Sequence, residues 1–243
     1  TWLIERYAVL QEQALHRQNL GQYLVTFLDN HDQVGHTLKR RFGYDATDEQ
    51  IIAGVGYLLC ALGVPCLYYG TEQGFEGSGP NDHAVRECLF NPEDPTLNAL
   101  NPHCRIYQSI QQLAELRRDT PALKFGRMYW REISQTGEDF ALPSEPGSLI
   151  AFSRILHDAE VLVVYNTSPH HAWTGFVVVD TEVNRQASGF KFRYGGEGVI
   201  PLVGHPPDTV LHCVGVRLLP MQFVVLQAEK LPVDAAGFLR LSN

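Results

Sequence analysis

Leu24-Val25-Thr26-Phe27-Leu28-Asp29-Asn30-His31-Asp32-Gln33 is the stretch on which the fold turns. A near-continuous apolar run over residues 23–28 stops abruptly at four polar side chains. Such a run predicts a strand buried on both faces, because a parallel sheet covered by helices needs apolar groups on both sides. Polar groups at the carboxyl end of that strand sit where parallel α/β folds place their chemistry. A second run over residues 64–69 ends at Gly70-Thr71-Glu72-Gln73-Gly74. Between the two, Thr47 or Asp48 is placed to cap a helix, with Glu49 and Gln50 near its positive end. Ile51, Ile52, Val55, Leu58, Leu59 and Leu62 recur at three- and four-residue steps, and Gly63 is expected to close the helix. The order strand, helix, strand is a βαβ unit.

Outward from this unit the pattern changes twice. Residues 2–18 carry Ile4, Tyr7, Ala8, Leu10 and Leu15 at helical spacing. Residues 74–102 are rich in Gly, Pro and Asn and read as one long irregular segment, a kind of loop that is commonly functional. Ile106, Ile110, Leu113 and Leu116 predict a further amphipathic helix to about Arg118, with Pro121 helping to end it. Beyond residue 124 come short strand-like runs at 127–133, 148–155, 161–165, 172–179, 190–194, 210–218 and 223–226, separated by turn residues. Seven runs at such spacing predict an antiparallel sandwich. Trp130 and Trp173 fall within it and read as core groups.

The two strand-end motifs resemble those of the α-amylase family of glycoside hydrolases, family 13. Phe27-Leu28-Asp29-Asn30-His31-Asp32 resembles that family's F-x-x-N-H-D at the end of barrel strand seven. Gly63-Val64-Pro65-Cys66-Leu67-Tyr68-Tyr69-Gly70-Thr71-Glu72 resembles its G-x-P-x-x-Y-Y-G-x-E on strand eight. The resemblance implies an α/β region followed by an all-β one: the last βα units of a (β/α)8 TIM barrel over residues 1–122, then the β-sandwich called domain C over 123–243. Residues 219–226 resemble the closing strand of that sandwich. An eight-fold barrel takes about 250 residues, and no G-x-R-x-D precedes Asp32. The chain therefore reads as a C-terminal fragment that lacks the family's nucleophilic aspartate and acid–base glutamate, and by itself it is expected to be inactive.

Retaining glycosidases use two carboxylates about 5 to 5.5 Å apart, and hydrogen bonds to sugar hydroxyls that tighten in the transition state add to their effect. The resemblance makes Asp32 a third carboxylate, gripping the 2- and 3-hydroxyls of the sugar at the cleavage point. His31 would donate to the same sugar, a task suited to a neutral imidazole. Asp32 and His31 are thus the candidate catalytic residues, and Asn30, His31, Asp32, Asp82 and Arg86 the candidate substrate-binding set. Gly70 and Glu72 are expected to support the loops. Gly70 permits a tight turn or close approach. Phe75 and Phe90 are placed either to stack on sugar rings or to pack the loop. A His-Asp pair also serves metal-dependent phosphohydrolases, but these need further ligands, and His36, the nearest extra histidine, reads as a loop residue.

Composition narrows the classes. The chain has 243 residues, 44% hydrophobic and 19% charged, with a formal net charge of −8. That balance disfavours nucleic-acid binding, which needs a concentrated basic surface. The basic cluster Lys39-Arg40-Arg41 reads as a solvated loop. No apolar run approaches the ~20 residues of a membrane span. The five cysteines, Cys60, Cys66, Cys88, Cys104 and Cys213, include no C-x-x-C, so neither a structural zinc site nor another metal site is expected. Cys60 and Cys66 read as small core hydrophobes. Cysteine usage leans toward a reducing compartment without assigning a location. No cofactor is expected. The expected partners are an α-glucan or oligosaccharide substrate, no nucleic acid and no membrane, with the open barrel-strand edges available for pairing with another chain. The rival function is a non-catalytic carbohydrate-binding or interaction module.

Overall fold

A computed structural model of the chain describes residues 4–6, 8, 9, 21, 23–33, 38–144, 147–204 and 211–230. Of the helix expected over residues 2–18, positions 4–6 and 8–9 are helical, and the remainder lies outside the described residues, as do His36 and Val210. The chain divides into two compact units: residues 16–120, and residues 121–243 together with 1–15.

In the first unit, strand β1 (Val25–Thr26) runs parallel to β3 (Val64–Pro65), with Val25 opposite Val64 and Thr26 opposite Pro65. A short strand β2 (Lys39–Arg40) pairs antiparallel with β4 (Ser78–Gly79). Helix α1 (Asp48–Cys60) connects β2 to β3. Thr47 is its N-cap, in a capping box: the Thr47 hydroxyl accepts from the Gln50 N–H, and the Gln50 side chain accepts from the Thr47 N–H at 2.8 Å. Asp48 and Glu49 sit in the first turn, where the helix dipole favours negative charge.

Gly63 does not close α1 as expected. The helix ends at Ala61, and Gly63 lies beyond it at φ +126°, where a Cβ would meet Thr26 Cγ2 at 2.8 Å. The glycine serves the approach of the chain to β1. Arg117 caps the helix end instead, donating to the carbonyls of Leu59 and Gly63. It comes from helix α2 (Arg105–Asp119), whose Ile106, Ile110, Leu113 and Leu116 are buried, as are Ile51, Ile52, Val55 and Leu58 of α1. The two helices pack together.

Two further expectations fail in this unit. The runs at 23–28 and 64–69 form only two-residue ladders, and their apolar groups are not buried on both faces: Val25 is 55% exposed and Phe27 52%. Each strand has the other as its one partner among the described residues, so the ladder cannot extend or be covered as a central strand would be. Cys66, placed on this edge, is exposed, whereas Cys60 inside α1 is buried. Residues 74–102 are irregular, punctuated by short 3₁₀ turns and β4.

Pro121 does not end α2 but starts helix α3 (Pro121–Phe125) of the second unit. The strands that follow are β5 (Arg127–Trp130), β6 (Ile133–Ser134), β7 (Leu149–Leu156), β8 (Ala159–Asn166), β9 (Trp173–Val178), β10 (Ala187–Tyr194), β11 (Val199–Gly204), β12 (His212–Leu218) and β13 (Phe223–Lys230). They pair in the order β5-β7-β8-β13-β10-β11-β12-β9-β6, antiparallel throughout. The expectation of an antiparallel sandwich is thereby modified, since hydrogen bonding runs continuously through nine strands.

Two segments turn the corners. β11 pairs with β10 through residues 199–201 and with β12 through residues 202–204. The run 127–133, expected as one strand, pairs with β7 at its start and β9 at its end, and breaks at Arg131 and Glu132. There the Arg131 N–H reaches the Ala151 carbonyl and the Val178 N–H reaches the Glu132 carbonyl. The sheet is curled so that Leu149, Leu162, Phe190 and Leu226 share one core with Trp173, Val177, Val214 and Leu218. Register shifts in β10 against β13 mark bulges, which bend and twist a strand. Trp173 is a core residue, as expected, and Trp130 packs edge-on against Phe152.

A polar knot sits beside this core. The fully buried Glu160 carboxylate accepts from Arg131, Ser153, the Asp180 N–H and Asn184. A buried charge is tolerable only with such partners.

Candidate active site

The chain leaving β1 turns at Asp29 and presents three successive side chains. Asn30 Oδ1 accepts the Asp32 N–H at 3.0 Å, a local side-chain turn of the kind Asx residues make. This turn sets His31 and Asp32 side by side, with His31 Nε2 3.1 Å from Asp32 Oδ2. Arg86 then closes the group. Its Nη2 donates to Asp32 Oδ1 at 2.6 Å, and its Nε donates to the His31 carbonyl at 3.1 Å. Asp82 joins from the same loop, accepting the Gln33 N–H at 3.2 Å with Lys39 Nζ 3.8 Å away. The side chains of His31, Asp32 and Arg86 are 65%, 55% and 41% exposed, so the group opens to solvent.

Beneath it lies a buried arginine, in contrast to the solvated loop expected for Lys39-Arg40-Arg41. Arg41 is 2% exposed. Its Nε is 2.9 Å from Asp29 Oδ2, Nη2 donates to the Tyr69 carbonyl at 2.7 Å, and Nη1 donates to the Val85 carbonyl at 3.1 Å. The guanidinium plane lies over the Tyr68 ring, 4.3 Å from its centroid, a cation–π contact. The Tyr68 hydroxyl donates to the Val85 carbonyl, and the Tyr69 hydroxyl to the Glu87 carbonyl. Nothing in the run Lys39-Arg40-Arg41 marks Arg41 as the buried member, beside a half-buried Lys39 and an exposed Arg40.

Burial pushes the Asp29 carboxyl above its usual range, against the opposing pull of the Phe42 N–H and Arg41. Asp29 Oδ1 has no hydrogen-bond partner among the described residues. The Glu87 carboxyl, 4.0 Å from Arg41 Nε, is also pushed up by burial, with Arg41 opposing. Tyr68 is pushed up to about 12, chiefly by burial.

Gly70 adopts φ +83°, and a Cβ there would meet the Phe75 ring at 2.2 Å. Only glycine fits a left-handed turn so closely covered. Phe75 packs into this turn and lies 5.7 Å from the Arg41 guanidinium, whereas Phe90 is 57% exposed. Glu72 stands in the next 3₁₀ turn. Its backbone carbonyl accepts from the Cys104 thiol, while its carboxylate makes no hydrogen bond or ion pair among the described residues. Thus Asn30, His31, Asp32, Asp82 and Arg86 come together, Gly70 shapes the loop behind them, and Glu72 stands apart. Among the described residues no cluster of three or more His, Cys, Asp or Glu side chains is arranged to hold a metal ion.

No family model matches the chain. It is 34% identical over 146 residues to a cyclomaltodextrin glucanotransferase of Geobacillus stearothermophilus, covering 59% of this chain and 16% of that protein. A second such protein, of Paenibacillus macerans, is 35% identical over 104 residues, covering 42% and 12%. The chain thus spans about a sixth or less of the length of these relatives. Among solved structures, the γ-cyclomaltodextrin glucanotransferase of alkalophilic Bacillus clarkii superposes with a TM-score of 0.61 at 22% identity, over 95% of this chain and 29% of that one. An Anoxybacillus α-amylase does so with a TM-score of 0.59 at 20% identity, over 86% and 39%. These structures share the fold.

Proposed function

From the premise that the chain belongs to the α-amylase family, we propose that the protein containing it hydrolyses or transfers α-glucosidic linkages with retention. In this reading residues 1–122 are the end of the catalytic barrel, and residues 123–243 are the β-sandwich domain C. The chain contributes Asp32 and His31, while the nucleophile and acid–base group are supplied by residues outside it.

One observation carries the reading. Asp32 stands at the carboxyl end of a parallel strand with each oxygen already directed, Oδ1 by Arg86 and Oδ2 by His31. Preset polar groups lower a barrier because they need no reorganisation as the transition state forms. The Arg86 pair is exposed, and exposed ion pairs contribute only about 0–1 kcal/mol. Sugar hydroxyls can therefore share Asp32 with Arg86, which keeps the carboxylate oriented, at little cost. An Asp32 grip that strengthens as the ring flattens would raise kcat rather than only lower KM. Asn30, Asp82 and Arg86 would frame the same sugar or its neighbour.

The test is to supply the full-length protein with linear α-glucans and follow both reducing sugar and transfer products. Turnover with anomeric retention that is lost in Asp32→Asn supports the reading. Glucan binding without turnover would replace it with a carbohydrate-binding module.

A further inference from the structure

Arg41 reaches both halves of the candidate site without touching its exposed face. Through Asp29 it holds the turn that carries His31 and Asp32. Through the Val85 carbonyl it holds the residue before Arg86. Through the Tyr69 carbonyl, the Thr71 hydroxyl at 3.4 Å and the Tyr68 ring it holds the turn that follows β3. The Tyr68 ring in turn lies 6.5 Å from the His31 ring. Three segments distant in the chain thus meet at one planar cation.

We propose that Arg41 is a positioning residue that fixes the spacing between Asp32 and Arg86, by tying the Asp29 turn and the Val85 carbonyl to one rigid fork. The inference deepens the α-glucosidic reading and rests on it for its kinetic arm. The geometry requires arginine rather than a generic cation. A guanidinium offers five donors in a fixed plane, bonds in several directions at once and stacks on an aromatic face. Lysine at this position would keep the charge beside Asp29 but could not also hold Tyr69, Val85 and the Tyr68 face.

Arg41→Lys in the full-length protein is therefore the informative variant. Deleting the charge outright would leave Asp29 buried without its cation and confuse positioning with folding. With the melting temperature close to that of the unsubstituted protein, kcat on α-glucan should fall roughly 10- to 100-fold while KM changes little, the pattern of a misplaced catalytic group. The loss should shrink in an Arg86→Gln background, because the spacing that Arg41 sets has then lost its second member. Without any substrate, the Asp32 and Gln33 amides should exchange faster in Arg41→Lys, on the order of tenfold, as their Asn30 and Asp82 acceptors loosen.

The exchange arm separates the two claims. Faster local exchange in a protein that turns over no α-glucan would overturn the proposed function and keep Arg41 as the positioner. Unchanged exchange would overturn the positioning role. So would kcat losses that multiply fully in the Arg41→Lys/Arg86→Gln double variant.

Discussion

Arg86 and Asp32, 54 positions apart in the chain, meet at 2.6 Å, and the same guanidinium bonds the His31 carbonyl. One side chain thus fixes both the carboxylate and the backbone of the turn that presents it. Because the side chains are 41% and 55% exposed, the energetic return is small and the geometric return is the larger one.

That balance gives a direct expectation for Arg86→Gln. Its stability cost should stay within about 1 kcal/mol, measured by urea denaturation of the full-length protein. Activity on α-glucan should nevertheless fall, since Asp32 loses its fixed orientation. A loss of several kcal/mol in stability would mean that the pair holds the fold instead.

Asp32→Asn preserves shape and removes charge. If Asp32 grips the sugar most tightly in the transition state, kcat should fall by on the order of 100-fold, about 3 kcal/mol, as when an oxyanion donor is removed. KM should move far less. Steady-state kinetics on a linear α-glucan would decide, and an unchanged kcat would falsify the assignment.

Legibility in the sequence followed how local each determinant is. Thr47, Gln50 and the three- and four-residue spacing of Ile51 to Leu59 fix α1 within one segment, so its cap and buried face could be read directly. The strands β1 and β3 could be placed but not measured. Their apolar residues express a demand for cover, and Val25 and Phe27 show that demand unmet among the described residues. Strand β11 was missed because Pro201 and Gly204 argue against a strand, although Pro201 is tolerated where the chain changes partners. The break at Arg131 and Glu132 depends on which strand lies opposite on either side. In the site, the Asn30-His31-Asp32 turn is local and legible. Arg41 is not, since its burial is set by Asp29, Tyr68 and Val85, which only the fold brings near.

Glu160 offers a test of the second unit. Its carboxylate is fully buried and ties Arg131, Ser153, Asp180 and Asn184. Glu160→Ala strands the Arg131 guanidinium at 12% exposure, with Asp180 Oδ2 3.8 Å away as its remaining anion. Breaking a buried pair by removing one partner costs about 3 to 5 kcal/mol, and the Asp180 contact should hold this case to the lower end. Thermal denaturation would report it, and a change below about 1 kcal/mol would show that the knot contributes no more than a surface pair.

The last expectation concerns acid and follows from Asp29. Burial raises its folded carboxyl above the usual aspartate range despite the Phe42 N–H and Arg41. Between the unfolded and folded values the native state holds the extra proton. Stability must then fall as pH rises through that window, because unfolding releases the proton. Glu87, also raised by burial, adds to the same slope. Glu49 and Asp158 act oppositely, since Arg105 and Lys230 lower their carboxyls, but both are exposed enough for solvent and salt to weaken them. Asp29→Asn should accordingly flatten the fall in stability as pH rises above about 4, the ordinary aspartate value, and Asp29→Asn/Glu87→Gln should flatten it further. Denaturant titrations across that range at high salt, where the surface pairs are screened, isolate the buried groups. A slope that persists unchanged in the double variant would place the titrating groups elsewhere in the protein.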